Sequence, residues 1–301
     1  MDPAPVERAA PGRVAVIVNP NSRRSIDAVR RAFERARPEG TEVTVQVTGG
    51  AGEATGLATA VRGDVDLVVA VGGDGTVSEV AAGLVGSAVP LGIVPAGSTN
   101  IVAQEHGIPS SLNSAVQLLF RPHRLTVRDL GQCGDRVFLH MAGAGLDARF
   151  FQRTNRQLKR HVGWLAYIPA AALALAEPSA CVVVTADGET IEAESPLVLV
   201  ANGSSVVHPA IKLHPGIRSD DAWLDVLVFK GADPPAFART LLQFGVGQFE
   251  RSTDIIVLRA REIDIRANPE VPVQLDGDAV GTTPVTIRIL PGAIRIVAPI
   301  R

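Results

Sequence analysis

The sequence predicts a two-domain protein: an α/β, doubly wound N-terminal domain followed by a β-sandwich-like C-terminal domain. Three observations predict this. Up to about Thr126, short apolar runs alternate with segments of helical periodicity, the pattern of a parallel sheet covered on both faces. Beyond it come many short β-like runs broken by Gly, Pro and Asp, the pattern of an antiparallel sandwich or barrel. Glycine-rich loops also follow successive first-half strands, at the carboxyl ends where ligands of parallel sheets sit. The length of 301 residues fits two domains at about 150 residues each, and the change of pattern puts the division at 1–128 and 129–301.

In chain order, Val14–Val18 is an apolar strand that stops at Asn19-Pro20. Arg23–Arg37 is a helix, with Ile26, Val29, Ala32, Phe33 and Ala36 on one face. Val43, Val45 and Val47 alternate as a strand; Glu53–Val61 is a helix and Asp66–Val71 a buried strand. Thr76–Val85 is a helix and Leu91–Val94 a strand. The second half carries strands at Val137–Met141, Cys181–Thr185, Leu197–Ala201, Leu224–Phe229, Ile255–Arg259, Ile263–Ile265, Val285–Leu290 and Ala293–Val297. Helical stretches at Asp147–Ala176 and Pro234–Phe244 interrupt them.

Composition removes several classes of function. Lys plus Arg is 29 and Asp plus Glu 31, a net charge of −2; a nucleic-acid binder usually shows a basic excess. Mean hydropathy is +0.21, yet the most apolar run, Trp164–Ala176, contains Pro169 and is shorter than the ~20 residues of a bilayer span. The N-terminal Met1-Asp2-Pro3-Ala4-Pro5 lacks the basic and apolar regions of a secretory signal. Two cysteines, Cys133 and Cys181, in no metal-like spacing suit a reducing cytoplasm. With twelve aromatics, nine Phe, two Trp and one Tyr, the core falls to Val, Leu, Ile and Ala.

The chemistry concentrates in loops. Gly72-Gly73-Asp74-Gly75-Thr76 lies between a strand and a helix. Glycines let the backbone approach a ligand closely, and a helix N-terminus favours phosphate. No Gly-Lys-Ser/Thr follows, so this is not a Walker loop. Asp74 suits a ribose hydroxyl or a phosphate-bound metal, or caps the helix. Pro95-Ala96-Gly97-Ser98-Thr99-Asn100 is a second loop, with small hydrogen-bonding side chains at a helix start; alone it reads equally well as an N-cap. Thr48-Gly49-Gly50-Ala51-Gly52-Glu53 is a third, weaker one. Gly143–Ala148 imitates a dinucleotide fingerprint but lacks its later acidic residue, so it reads as a strand-to-helix turn.

Taken together, GGDGT, P-A-G-S-T-N, the Asp220-Asp221-Ala222-Trp223-Leu224-Asp225 run and Leu275-Asp276-Gly277-Asp278 resemble the diacylglycerol kinase catalytic family, which includes bacterial soluble lipid kinases and sphingosine kinases. Asn19-Pro20-Asn21-Ser22 and Ala144–Ala148 add to the likeness, which runs from Val14 to about Val297. The resemblance implies a Rossmann-like nucleotide-binding domain and a β-rich lipid- and metal-binding domain. It implies transfer of the ATP γ-phosphate to the hydroxyl of diacylglycerol or a related lipid alcohol, with Mg2+, at the cleft between domains. Asn19, Thr48, Gly72, Gly73, Asp74, Gly75, Thr76, Gly97, Ser98, Thr99 and Asn100 would hold ATP. Asp221, with the carbonyls of Arg218 and Trp223, matches a structural magnesium site of oxygen ligands. Asp278 stands where the family has its glutamate base; Asp276 and Asp74 are the other carboxylates for that role. NAD kinases share GGDGT and the domain order, and a catalytically weak nucleotide- or lipid-binding homologue is a third reading.

The chain departs from the family pattern where Ile101 replaces an aspartate, Ala222 a glycine and Asp278 a glutamate. His208-Pro209 stands where glycines are expected. Arg149, Arg153, Arg156 and Arg160 share one helical face, Lys159 adds a fifth cation, and no acidic residue occurs from Ala148 to Ala176. This reads as a solvated face over a core helix or as a segment that adsorbs to anionic lipid. The partners expected are therefore a lipid substrate at a membrane surface, no nucleic acid, and optionally a second copy of the chain. The expected location is cytoplasmic, peripheral at the inner face of the cell membrane.

Overall fold

The computed structural model describes residues 10–153, 179–206, 208–213, 216–230 and 254–300. The chain forms two compact units, Met1–Arg128 with Gly292–Arg301, and Asp129–Pro291.

The first unit alternates strand and helix: β1 (Arg13–Val18), α1 (Ile26–Ala36), β2 (Glu42–Val47), α2 (Glu53–Val61), β3 (Leu67–Gly72), α3 (Asp74–Leu84), β4 (Leu91–Pro95), α4 (Ile101–Glu105), α5 (Leu112–Phe120) and the start of β5 (Arg124–Cys133). Strand order is β2-β1-β3-β4, all parallel. Val14–Val18, Leu67–Val71 and Leu91–Pro95 are buried throughout, because helices cover both faces. Ser25 caps α1 by accepting the Ala28 amide at 3.3 Å, and the helix buries Val29, Ala32 and Phe33. The chain leaves β1 for β2 on one side and returns to β3 on the other. The β1/β3 boundary is therefore the topological switch point, outside whose carboxyl ends ligands bind.

The second unit holds β6 (Arg136–Phe138), β7 (Met141–Gly145), α6 (Leu146–Arg153), β8 (Ala180–Ala186), β9 (Glu189–Ser195), β10 (Leu197–Ala201), β11 (Ser205–Val206), β12 (His208–Lys212), β13 (Leu224–Phe229), β14 (Ile255–Ala260), β15 (Glu262–Asn268), β16 (Pro272–Leu275), β17 (Asp278–Thr282) and most of β18 (Val285–Ala298). One antiparallel sheet runs β14-β13-β10-β7-β16-β17; the strands β18, β15, β8 and β9 pair antiparallel in a second. Val198 and Val200 of β10, Val226 and Val228 of β13, and Val182 and Val184 of β8 meet in the core between them. Alternate residues of the first sheet, Leu197, Leu199, Leu227 and Phe229, face a second apolar cluster with Leu213 and Ile217. The period of two thus feeds two cores from one sheet, which explains why β10 reads as an unbroken apolar run and β13 as one broken only by Asp225.

Three local expectations change. The strand expected at Val137–Met141 is two, β6 and β7, because the Leu139, His140 and Met141 amides turn to the Asp276 carboxylate. The two strands expected at Val285–Leu290 and Ala293–Val297 are one, β18. Its Val285–Arg288 end pairs with β15 in the second unit, and Ile296 lies beside Leu91 of β4 in the first. The last ten residues therefore belong to the first unit. Polar β9, an edge strand, gives no apolar run to read. Of the helix expected at Asp147–Ala176 only the part to Arg153, and of Pro234–Phe244 none, falls within the described residues. No helix among the described residues is long and apolar enough to cross a membrane.

Candidate active site

The carboxyl ends of β1, β3 and β4 converge at the switch point. β3 and β4 finish level, Gly72 beside Pro95, and the Ala96 amide donates to the Gly72 carbonyl at 2.8 Å. Their loops then pack backbone to backbone. A Cβ on Gly97 would lie 2.5 Å from the Gly73 Cα, and one on Gly72 2.4 Å from the Thr76 hydroxyl. Both positions exclude any side chain. From β1, the Asn19 Nδ2 donates to Thr76 Oγ1 at 3.1 Å, and the Asn19 Oδ1 accepts the Asn21 amide. Helix α3 begins behind Gly73 with no side-chain cap. Its leading amide groups and dipole therefore face Gly73–Gly75 without a protein acceptor from a capping residue, the arrangement that attracts phosphate.

The other loops are built differently. Asn100, in the left-handed region at φ 52°, folds its amide back onto the Gly97 amide and carbonyl at 2.8 and 2.9 Å. It closes its own loop. Ser98 is exposed, and the Thr99 carbonyl accepts from Gln104. Asp74 Oδ1 accepts the Val102 amide at 3.2 Å, so it caps α4 rather than its own helix. Thr48 is buried, its amide on the Val18 carbonyl. The Gly49, Gly52 and Ala54 amides after it are taken by the Glu53 and Glu79 carboxylates. Carboxylates thus already take amides at the start of α2, whereas the one carboxylate in the first turn of α3, Asp74, accepts from α4, so of the two glycine-led helices α3 is the better suited to an anion.

In the second unit, the turn between β16 and β17 separates two carboxylates by role. Asp276 accepts the Leu139, His140 and Met141 amides at 2.8, 2.9 and 3.0 Å. Both its oxygens are engaged in holding the β6–β7 link. Asp278 is exposed, and its carboxylate has no hydrogen bond or ion pair among the described residues. Buried Gln274 donates from Nε2 to Asp147 Oδ2 at 2.7 Å and accepts the Gly277 amide on Oε1 at 2.5 Å. Burial pushes the Asp147 carboxyl up to about 7, against the opposing pull of Gln274 and the Ala148 amide.

The turn read as a metal site is closed by protein groups. Asp221 Oδ2 pairs with the Arg259 guanidinium, and Oδ1 accepts the Trp223 amide at 3.2 Å. Arg218 grips Asp220 at 2.9 and 3.1 Å. Ala222 sits at φ 63° with its amide on Asp129 Oδ2 at 2.7 Å. A magnesium ion needs several free oxygens, and here an arginine already neutralises the carboxylate. The turn so folded does not fit the ion. No cluster of three His, Cys, Asp or Glu occurs among the described residues. His208 lies in β12, and Ile101 is the buried first residue of α4.

Residues 13–133 match the diacylglycerol kinase catalytic domain, and residues 140–298 match the YegS C-terminal NAD kinase beta sandwich-like domain. A probable lipid kinase, YegS-like, of Citrobacter koseri is 31% identical over 90% of this chain and 91% of its own. The chain belongs to the YegS-like diacylglycerol kinase family. A diacylglycerol kinase of Bacillus subtilis is 30% identical over 95% of this chain and 96% of its own. A crystal structure of a putative diacylglycerol kinase from Bacillus anthracis str. Sterne superposes with a TM-score of 0.80 at 27% identity, covering 97% of both chains. As a member of this family the chain is an enzyme with a lipid-kinase catalytic domain. Gln274, Asp147, Glu79, Asp129 and Arg259 are structural participants that sequence reasoning passes over. Gln274 leaves no signal, because strand alternation between the core residues Val273 and Leu275 allows a polar residue there, and of these only Asp147 falls in a quoted motif, Ala144–Ala148.

Proposed function

We propose that this enzyme transfers the γ-phosphate of ATP to the hydroxyl of diacylglycerol or a related lipid alcohol. The observation that carries the nucleotide half is the N-terminus of α3 at the switch point, without a side-chain cap and behind glycines that exclude any Cβ, its one first-turn carboxylate, Asp74, accepting the Val102 amide. Gly72–Thr76 would cradle the phosphates, with Asn19, Thr48 and the Gly97–Asn100 loop completing the site. Asp74 orders that loop through α4 and so acts by position. Magnesium would enter with the nucleotide and supply charge neutralisation to the transferring phosphoryl group.

The second unit supplies the base. Asp278, unengaged and exposed, takes the proton of the lipid hydroxyl; Asp276 has no oxygen to spare for it. Phosphoryl transfer is mainly positioning and charge stabilisation, so a carboxylate suffices as base. The basic stretch reaching Arg160, beyond Arg153 outside the described residues, would dock the enzyme on anionic lipid at the inner face of the membrane. Liposome sedimentation tests this part: an unchanged bound fraction after Arg153, Arg156 and Arg160 become Glu removes it.

The deciding experiment incubates the protein with γ-labelled ATP, Mg2+ and a panel of lipid alcohols in mixed vesicles, with NAD as a parallel acceptor. Label in the lipid extract supports the proposal. Labelled NADP would support the reading suggested by the NAD kinase-like sandwich. ATP binding without transfer to any acceptor would leave a binding protein.

A further inference from the structure

Asp147 belongs to none of the roles above, although its side chain is elaborately housed. A Cβ on Gly143 would lie 1.7 Å from Asp147 Oδ2, so that glycine exists to leave room for the carboxyl. The residue keeps some surface in solvent, but its Oδ1 is enclosed. A carboxyl is not placed there for packing, since an apolar side chain would fill the space at lower cost.

Its one side-chain partner leads to the active turn. Gln274, fully buried, spans from Asp147 Oδ2 to the Gly277 amide. Gly277 at φ 89° and Asp276 at φ 47° are the two left-handed residues that swing the chain into β17, whose first residue is Asp278. A carboxylate can only accept hydrogen bonds. It therefore holds the Gln274 amide with NH2 toward itself and the carbonyl toward Gly277. A neutral carboxyl can also donate, and then permits the amide to turn over and release the Gly277 N–H.

We infer that Asp147 is a positioning residue, which through Gln274 fixes the Gly277 peptide and so the place at which Asp278 is presented. The inference rests on the assignment of Asp278 as the base. It also makes turnover depend on whether Asp147 carries its charge, and burial places that ionisation near neutrality. Helix α6 packs on β7, β16 and β17. Strands β7 and β16 have no titratable side chain; β17 and its turn bring Asp278 and Asp276, and α6 itself brings Arg149 and Arg153. Asp278, Asp276 and Arg149 are not causes of the displaced ionisation, which comes from burial, Gln274 and the Ala148 and Asp147 amides.

The test uses the full-length protein and two readouts. The first is amide exchange at Gly277 by NMR, which needs no activity. Asp147→Leu and Gln274→Leu should speed that exchange at least tenfold relative to neighbouring amides, and Asp147→Asn, which like the neutral carboxyl donates as well as accepts, should give the lower protection that the wild type shows when Asp147 is protonated. The second is the pH profile of kcat. The wild type should show a rising limb near pH 7 that Asp147→Asn flattens, with KM for ATP unchanged. Protection at Gly277 that is indifferent to Gln274→Leu, or a limb retained in Asp147→Asn, overturns the inference. If Asp147→Leu does not fold, Gln274→Leu alone decides the exchange arm. Asp278→Asn separates the underlying assignment: full turnover there, with Gly277 still responsive, removes the base and leaves the link.

Discussion

Asp276 and Asp278 stand two residues apart and act differently. The first spends both oxygens on three backbone amides, the second spends none. Charge-assisted hydrogen bonds are strong, and buried donors left without acceptors are costly. Asp276→Ala should therefore destabilise the second unit by about 2–4 kcal/mol, seen in chemical denaturation. Asp278→Asn should leave the denaturation midpoint in place and lower kcat by about 10²-fold or more, the usual worth of a positioned base. Asp147 makes a prediction of opposite kind. Its carboxyl ionises near 3.8 in a free chain and about 7 when folded, so the folded state binds the proton more tightly. That contribution is complete below pH 4 and is lost as pH rises to about 7, on the order of 4 kcal/mol across the window. Asp147→Asn cannot titrate; its stability relative to wild type should improve between pH 5 and pH 8 in urea unfolding.

At the scale of elements, the proposed phosphate site is a matter of two strands ending level. Because Gly72 and Pro95 are register partners, the loops after β3 and β4 press together until Gly73 and Gly97 touch. Gly97→Ala puts a methyl 2.5 Å from a backbone carbon. It should cost about 1–3 kcal/mol in stability and weaken nucleotide binding at least tenfold by calorimetric titration. The helices divide by where their carboxylates go: Glu53 and Glu79 take amides at the start of α2, whereas Asp74 in the first turn of α3 accepts from Val102 of α4. The buried Arg128 works at the same scale. It reaches Glu105 at 3.2 Å and His106 at 3.1 Å, tying the start of β5 to α4, the helix whose first turn Asp74 holds.

At the scale of the whole molecule, the chain ends in the unit in which it began. Ile294, Ile296, Val297 and Ala298 are buried, and Thr126 and Arg124 donate to the Ile296 and Pro299 carbonyls. Truncation after Pro291 should therefore loosen the first unit, with amide protection lost in β4 and nucleotide binding weakened. Antiparallel pairing in the second unit between β13, β10 and β7 should keep its protection.

Much of this was legible before any coordinates. Hydrophobic periodicity settles the alternation in the first unit, because β1, β3 and β4 bury both faces and appear as apolar runs, while the edge strand β2 shows as alternating valines. Glycine between a strand and a helix marks the proposed phosphate loop, since no other residue permits that backbone approach. By itself the sequence thus determines the fold class, the family likeness and where the ligand-facing loops lie. It put Asp278 at the base position by resemblance alone and left Asp276 and Asp74 open for the same role, for a carboxylate's role is set by which amides reach it. Only the tertiary structure brings Leu139–Met141 to Asp276, Val102 to Asp74, Arg259 to Asp221 and Gln274 to Asp147. These pairs join residues 28 to 137 positions apart, and periodicity and local spacing carry no information at that range.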